Sequence, residues 1–429
     1  MSSTAPRRAD LPQAARALGV WSLLALGING IVGVGIFFTP NLVAGLVPGD
    51  LGVLAYALTL LALLPVALCY AQLGARFDRD GGPYVWACAA FGEGFGFVVG
   101  FAAYASAVLS TAAVIVGLGE YTAPLLGLGA EKKLFSLVSA LLLAAIAMTG
   151  LKPSAWVWSS LTVAKLLPLL LLLAIFAFGA HGAIASVTPS ATASPSWGRA
   201  VLLLVFPMQG FEIVPVPGSH VRSPSRAIPF ATVGSLVVCA ALYALLHLAC
   251  VRSVVGLASI DTPLIAAASA LGGARLSWLV SAGTNVSALG IAFGMIAMTP
   301  RYLAALEAAG QGAASGFLAE EARAQVPRHA LLVTLGLVVL LVSVGALNRL
   351  FVLSSVAVLF QYSVSVLSLG VLALRRQHGL TRRAGLVAPL ALIALGLVAR
   401  AVERAELVVM AGIIAAAVLL WFVQVRFRR

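Results

Sequence analysis

Long apolar segments constrain the fold of this chain more than any other feature of its sequence. Twelve segments have enough apolar residues over about 20 positions, the length that crosses a bilayer core, to form membrane-spanning helices. Charged residues make up only 10% of the chain, against about 25% in soluble domains. We therefore expect an all-α integral membrane protein. The twelve segments are 18–45, 51–75, 87–117, 134–150, 155–179, 200–218, 228–251, 276–304, 329–346, 349–373, 384–400 and 405–425.

Lysine and arginine are distributed unequally between the connections of these segments. With the amino terminus on the inner side, 18 of the 27 basic residues lie on that side and 8 on the outer side, with Lys165 left inside a segment. Cytoplasmic connections carry the excess of basic residues in membrane proteins. We therefore expect a multi-pass cell-membrane protein with both termini in the cytoplasm. The basic residues that give the net charge of +13 then reflect the membrane topology and do not indicate a nucleic-acid partner.

Two segments contain residues that oppose a continuous helix. Glycine costs a helix roughly 1 kcal/mol relative to alanine, and proline removes a backbone donor and clashes with the preceding turn. Close packing through small residues is one explanation. Interruptions in both the first and the sixth segment favour a transporter of inverted repeats that binds its substrate at the breaks. The residues concerned are Gly27, Gly30, Gly33 and Gly35 in the first segment, and Pro207, Gly210, Pro215, Pro217 and Gly218 in the sixth.

Two ionisable side chains lie deep within apolar segments. Lys165 is ten residues into the fifth segment, so roughly 15 Å along a helix with a rise of 1.5 Å per residue. An ionisable residue at such depth marks a transport pathway or proton relay by default, although a permanently charged tie between helices is the alternative. Glu212 is the only acidic residue deep in a segment, and a structural hydrogen-bonding role is equally open for it.

Four motifs, in order along the chain, resemble those of the amino acid–polyamine–organocation (APC) superfamily of secondary transporters. GINGIVGVGIFFTP is similar to the first-helix G-x-G-[IV]-[FY] stretch, and ARFDRDGGPYVWACAAFGEGFGFVVGF to the signature between the second and third helices. FPMQGFEIVPVPGSHVRSPSRAIP resembles the sixth-helix GFE stretch with its following N-P-x-R element. TPRYLAALEAAG resembles the end of the eighth helix. The chain departs from the family pattern at His220, where relatives often carry a glutamate, so that pH sensing by this residue stays open.

The resemblance implies a LeuT-type fold with 12 transmembrane helices, in which two inverted repeats of five helices precede two accessory helices. The first repeat would cover 18–179 and the second 200–373. The accessory helices would lie within 384–425, between cytoplasmic ends at 1–17 and 426–429.

The resemblance also implies roles for individual residues. Backbone amides of Gly33, Val34 and Gly35 would bind a substrate carboxylate, while Phe206, Pro207 and Gln209 would lie near its amine. Lys165 would contact the first break and the eighth helix, where Ser287 occupies the matching position, and would couple transport to protons. Glu212 matches a glutamate that some members use in proton-linked transport or gating. The gate candidates are Phe206, Tyr104 and Tyr362.

The function expected from these features is proton-coupled secondary transport of an amino acid by alternating access. An exchanger of basic amino acids or polyamines is the alternative in the same class, and a membrane sensor without transport activity is the alternative from another class. No enzymatic motif such as HExxH or GxSxG occurs in the segments. We expect no cofactor, metal or sodium site, because the Lys165 ammonium already supplies a positive charge. The bilayer and a small amino acid are the expected partners.

Overall fold

The computed structural model describes residues 18–77, 82–150, 155–179, 194–216, 221–306 and 326–427. These residues form fourteen α-helices and short 3₁₀ turns, and their only extended pairing is a single bridge between Leu18 and Val221. The helices are α1 (Val20–Ile31), α2 (Gly35–Ala44), α3 (Gly52–Arg76), α4 (Pro83–Phe91), α5 (Glu93–Leu125), α6 (Lys132–Met148), α7 (Ala155–Phe178), α8 (Trp197–Met208), α9 (Pro224–Ser253), α10 (Pro263–Leu306), α11 (Arg328–Val344), α12 (Leu347–Leu374), α13 (Val387–Ala399) and α14 (Arg404–Phe427). The expectation of an all-helical protein is confirmed.

Several helices are long and apolar enough to cross a bilayer. Within the described residues, α3, α5, α9, α10, α12 and α14 meet this criterion individually, and the bent pair formed by α1 and α2 meets it jointly. Four further apolar helices, within α7, α8, α11 and the 384–399 region, are shorter. Six to seven membrane-length helices agree with a membrane transporter, whereas twelve spans in two inverted repeats stay a prediction.

Glycines with positive φ values divide the chain at two places in or beside the predicted segments. The segment predicted at 87–117 is two helices, α4 and α5, because Gly92 adopts a φ of 93° that ends α4 and lets the chain turn into α5. The segment predicted at 276–304 corresponds to the part of α10 that follows a kink at Gly273, where φ is 66°, and a separate helical stretch from Pro263 precedes the kink. Glycine positions along an apolar run therefore decide where these helices start and stop.

Burial separates the central helices from those on the outside. In the most apolar window of α12, 78% of residues are buried, and 67% in α5, but only 17% in α14. In a membrane protein, a helix whose apolar residues are mostly not buried faces the lipid. The helices α5 and α12 therefore form the centre of the bundle, and the breaks described below pack against them and against α9.

Candidate functional site

The first predicted break is present in the structure. Helix α1 ends at Ile31 and α2 begins at Gly35, and their axes are bent by 52° at the three residues between them. No side chain caps the amino-terminal end of α2 at Val34. The first backbone N–H groups of a helix have no partners within that helix, and they lie at the positive end of its dipole. The break therefore presents an anion-binding helix terminus in the interior of the bundle.

The second break lies where α8 ends at Met208. Gly210 has a φ of 124°, which an L side chain rarely adopts, and a 3₁₀ turn follows at Phe211–Ile213. The predicted break residues Pro217 and Gly218, and His220 beyond them, lie outside the described residues. The last carbonyl groups of a helix lack partners within it and suit a cation; at the end of α8, the Phe206 carbonyl accepts a hydrogen bond from the Gln209 N–H.

The two breaks pack directly against each other. A Cβ added at Gly210 would overlap the backbone of Gly30. A Cβ added at Gly35 would lie 2.7 Å from the Cβ of Pro207. The absence of side chains at these glycines is thus what brings the two interrupted segments together.

Lys165 of α7 lies at the first break. Its Nζ donates hydrogen bonds to the carbonyl oxygens of Asn29 and Val32, at 3.0 and 2.7 Å, and only 4% of the residue is exposed. The hydroxyl of Tyr243 on α9 donates to the carbonyl oxygen of Ile31 at 2.8 Å. Carbonyls released at the end of α1 therefore bond to a cation and a phenol from two other helices.

Ser287 of α10 is buried, but it is not bonded to Lys165. Its hydroxyl has no hydrogen-bond partner among the described residues. The structure thus brings Lys165 to the first break, and it does not join Lys165 and Ser287 by a hydrogen bond.

Glu212 is held within the second break. One carboxylate oxygen, Oε2, accepts a hydrogen bond from the backbone N–H of Gly210 at 2.7 Å and another from the Tyr362 hydroxyl at 3.0 Å. The Tyr362 ring packs edge-on against Tyr70 of α3, with centroids 5.6 Å apart. Tyr70 was not anticipated from the sequence, where an aromatic within an apolar helix is not distinguishable from ordinary core.

Phe206 and Gln209 contact residues of the central helices. The Phe206 ring stacks on Phe351 of α12 at a centroid distance of 4.1 Å. The Gln209 side chain lies 3.5 Å from the Ser354 hydroxyl, which is 2.7 Å from the hydroxyl of Ser110 on α5. The sequence analysis missed Phe351, Ser354 and Ser110, because their proximity to the second break depends on how α12 and α5 pack.

Tyr104, the remaining gate candidate, bonds elsewhere. Its hydroxyl is 3.0 Å from that of Thr334 on α11. Of the three gate candidates, Phe206 and Tyr362 therefore adjoin the second break, whereas Tyr104 links α5 to α11. The described residues contain no group of three or more His, Cys, Asp or Glu side chains that would hold a metal ion.

A family model described as amino acid permease matches residues 18–427. The chain belongs to this family, within the APC superfamily. The permease is 27% identical to the serine/threonine exchanger SteT of Bacillus subtilis over 298 residues, which are 67% of each chain. It is 29% identical over 378 residues to an uncharacterized transporter of Mycobacterium bovis, covering 84% of this chain and 82% of that one. It is also 29% identical over 312 residues to cationic amino acid transporter 9, chloroplastic, of Arabidopsis thaliana, covering 66% and 53%.

Family membership and the apolar helices together establish the general class of the protein. The permease is a multi-pass membrane protein of a family of amino acid transporters, and this family consists of transporters rather than enzymes. Its substrate class is therefore small molecules of the amino acid type.

Proposed function

We propose that the chain is a proton-coupled secondary transporter of amino acids that works by alternating access, with its substrate bound between the two breaks. The observation that carries this proposal is the interrupted first segment, whose carbonyls bond to the buried ammonium of Lys165. Ionisable groups deep in membrane helices belong to substrate or proton pathways by default.

The chemistry of the breaks suits a zwitterion. Backbone N–H groups of Gly33, Val34 and Gly35, at the positive end of the α2 dipole, would hold the carboxylate. Carbonyls at the end of α8, near Phe206 and Pro207, would hold the ammonium group. An α-amino acid carries both charges a few bonds apart, so it fits between two such helix ends.

The contact between the breaks supports alternating access. Gly35 packs on Pro207, and Phe206 stacks on Phe351, so these groups would have to separate for a substrate to enter. The described conformation would then be closed at this site, and the transport cycle would move the interrupted segments relative to α12.

Lys165 would couple this movement to protons. Its positive charge stabilises the carbonyl end of α1, where the helix dipole is negative. Loss of a proton would remove that charge and weaken charge-assisted hydrogen bonds to Asn29 and Val32. The geometry of the first break, and hence substrate affinity, would then depend on the protonation state of Lys165.

The test is uptake of labelled amino acids by proteoliposomes under an imposed pH gradient, comparing Lys165→Ala with Lys133→Ala. Lys133 is exposed and so serves as the matched control. We expect the gradient to raise uptake about tenfold in the wild type and the control, and to leave Lys165→Ala unaffected. A full gradient response in Lys165→Ala would remove this lysine from the coupling mechanism.

An exchanger of basic amino acids or polyamines is a second candidate, since relatives are named as an exchanger and as a cationic amino acid transporter. The acid at the breaks, Glu212, already accepts two hydrogen bonds, which favours a neutral amino acid. Preloading the vesicles with arginine, putrescine or serine distinguishes these cases, because an exchanger requires internal substrate. Binding in a thermal-shift assay without uptake in any vesicle would favour a sensor.

A further inference from the structure

A basic turn joins α12 to α13. The turn, residues 375–386, contains Arg375, Arg376, Arg382 and Arg383, and no Asp or Glu occurs anywhere between positions 351 and 402. We call this segment the arginine turn. The positive charge of the turn is thus not neutralised by acidic residues within its own helical hairpin.

Contacts with neighbouring elements hold the arginine turn in place. Leu380 is 2% exposed, and the His378 ring stacks on Phe77 with centroids 4.3 Å apart. Arg76 of α3 donates a hydrogen bond to the Gly379 carbonyl at 2.6 Å, and Arg375 donates to the Ala90 carbonyl at 3.1 Å. The turn therefore has a defined conformation.

Three arginines of the turn are available to a ligand. Arg376, Arg382 and Arg383 are exposed, and none forms an ion pair within the described part of the chain. A guanidinium group binds phosphate oxygens through two parallel hydrogen bonds, which makes arginine a preferred partner of phosphate groups.

An apolar groove begins a short distance from the turn. It runs between α3 and α13, has a volume of about 370 Å³, and is lined only by apolar side chains. Its lining includes Leu61 and Leu68 of α3 and Leu390, Ile393, Ala394 and Leu397 of α13. Arg383 precedes Leu390 by seven positions, which corresponds to about 10 Å along a helix.

The position of the turn relative to the bilayer follows from the helices on either side. It begins where the membrane-length helix α12 ends, and Leu374 and Leu386, which flank it, are 68% and 73% exposed. With α12 spanning a bilayer, the residues that follow its last turn lie at headgroup level, next to the acyl chains that the exposed Leu374 contacts. Phosphate-bearing headgroups and acyl chains are thus both adjacent to these residues.

We propose that the arginine turn and the groove form a binding site for one anionic phospholipid. The phosphate binds to Arg376, Arg382 and Arg383, and an acyl chain lies in the groove between α3 and α13. A second copy of this chain is a poor occupant, because a symmetric contact would bring two clusters of arginines together. A bound lipid would contact α3, which packs against α9, and α13, which packs directly against α3.

Native mass spectrometry of the detergent-solubilised full chain tests the site. The probes are phosphatidylglycerol, phosphatidylcholine with the same acyl chains, and glycerol 3-phosphate, which has the phosphate without the chains. We expect phosphatidylglycerol adducts about tenfold more abundant than phosphatidylcholine adducts. Equal abundance of the two lipids, or equal binding of glycerol 3-phosphate, would overturn the proposal.

Two kinds of variant separate the headgroup site from the groove. Arg382→Gln/Arg383→Gln should lower phosphatidylglycerol binding about tenfold, whereas Arg400→Gln/Arg404→Gln, with the same charge loss near the other end of α13, should retain it. Ala394→Trp fills the groove without a change in charge and should lower binding as well. Wild-type binding by the turn variant or by Ala394→Trp would contradict the site, and equal loss in both arginine pairs would indicate unspecific charge attraction.

Discussion

Individual glycines decide how closely the two interrupted segments approach. Gly210 has a positive φ, which disfavours any side chain, and it also lies directly against the Gly30 backbone. Two separate physical reasons therefore require glycine at this position. Gly33 differs, because the nearest atom to an added Cβ would lie 3.7 Å away, an ordinary contact distance. Glycines in the same motif therefore have different structural roles.

Gly210→Ala should strongly destabilise the protein. An alanine at a φ of 124° is strained, and its Cβ would also displace the Gly30 backbone. We expect the free energy of unfolding to fall by about 2 kcal/mol or more. Gly336→Ala is the control: it lies within α11 with no atom within 4 Å of an added Cβ, and alanine there should stabilise the helix by up to about 1 kcal/mol. Thermal unfolding in detergent measures both, and similar melting temperatures would contradict the strain argument.

At the residue scale, the sequence analysis identified the unusual residues but not their partners. Glycines, prolines and a lysine in an apolar segment are chemically conspicuous, so the first break and Lys165 were found from the sequence alone. Tyr243 bonds to Ile31 from 212 positions away, and Phe351 meets Phe206 across the bundle. Such pairings depend on tertiary packing, which the pattern of apolar residues does not specify.

At the scale of helices, hydrogen bonds between side chains of different helices connect the second break to the rest of the bundle. Glu212 bonds to Tyr362 of α12, and Tyr362 contacts Tyr70 of α3. Tyr104 forms a comparable bond from α5 to Thr334 of α11. The two tyrosines make similar interactions, but only Tyr362 bonds to a residue of a break.

Tyr362→Phe and Tyr104→Phe should therefore have different effects on transport. Each variant removes one hydroxyl from a buried hydrogen bond, and each should lower the free energy of unfolding by about 1 kcal/mol or more. We expect only Tyr362→Phe to change the rate of amino acid uptake by about fivefold or more, because only the Tyr362 hydroxyl bonds to a residue of a break. Uptake in proteoliposomes at matched protein density is the measurement. Reduced uptake in Tyr104→Phe alone would reverse the assignment of the gate residues.

The sequence predicts the presence of helices better than it predicts their first and last residues. The apolar segments predict helices because backbone groups in lipid must bond internally, and the described residues are helical. The limits predicted for the segment at 87–117 were wrong because Gly92 adopts a positive φ within that apolar run. Whether a glycine interrupts a helix depends on its neighbours in the fold, as the helical glycine at position 336 illustrates.

At the scale of the whole molecule, three ion pairs among the described residues lie at one end of the bundle. There, Asp50 pairs with Arg252, Lys132 with Glu120, and Arg199 with Glu406. At the opposite end, Arg76 and Arg375 bond to backbone carbonyls instead. Two of these pairs, Asp50–Arg252 and Arg199–Glu406, join residues more than 200 positions apart in the sequence.

The ion pair of Arg199 should contribute most to this end of the molecule. Arg199 donates a hydrogen bond to Glu406 at 3.0 Å, its second terminal nitrogen forms an ion pair with the other carboxylate oxygen at 2.6 Å, and only 11% of the Glu406 side chain is exposed where α8 meets α14. Arg252 and Asp50 are also close, at 2.9 Å, but their side chains are 44% and 54% exposed. Solvent screens the exposed pair, and removing one partner of the buried pair leaves an unpaired carboxylate.

Arg199→Gln should accordingly lower the free energy of unfolding by about 1–2 kcal/mol, and Arg252→Gln by less than about 1 kcal/mol. Both substitutions remove one positive charge and keep hydrogen-bonding capacity. The difference between their losses of unfolding free energy therefore reports the effect of burying the ion pair. Thermal unfolding at low and high salt measures it: added salt should reduce the effect of Arg252→Gln more than that of Arg199→Gln, because the exposed pair is screened. Equal losses at both salt concentrations would mean that the ion pair between the amino-terminal end of α8 and α14 is no stronger than a surface ion pair.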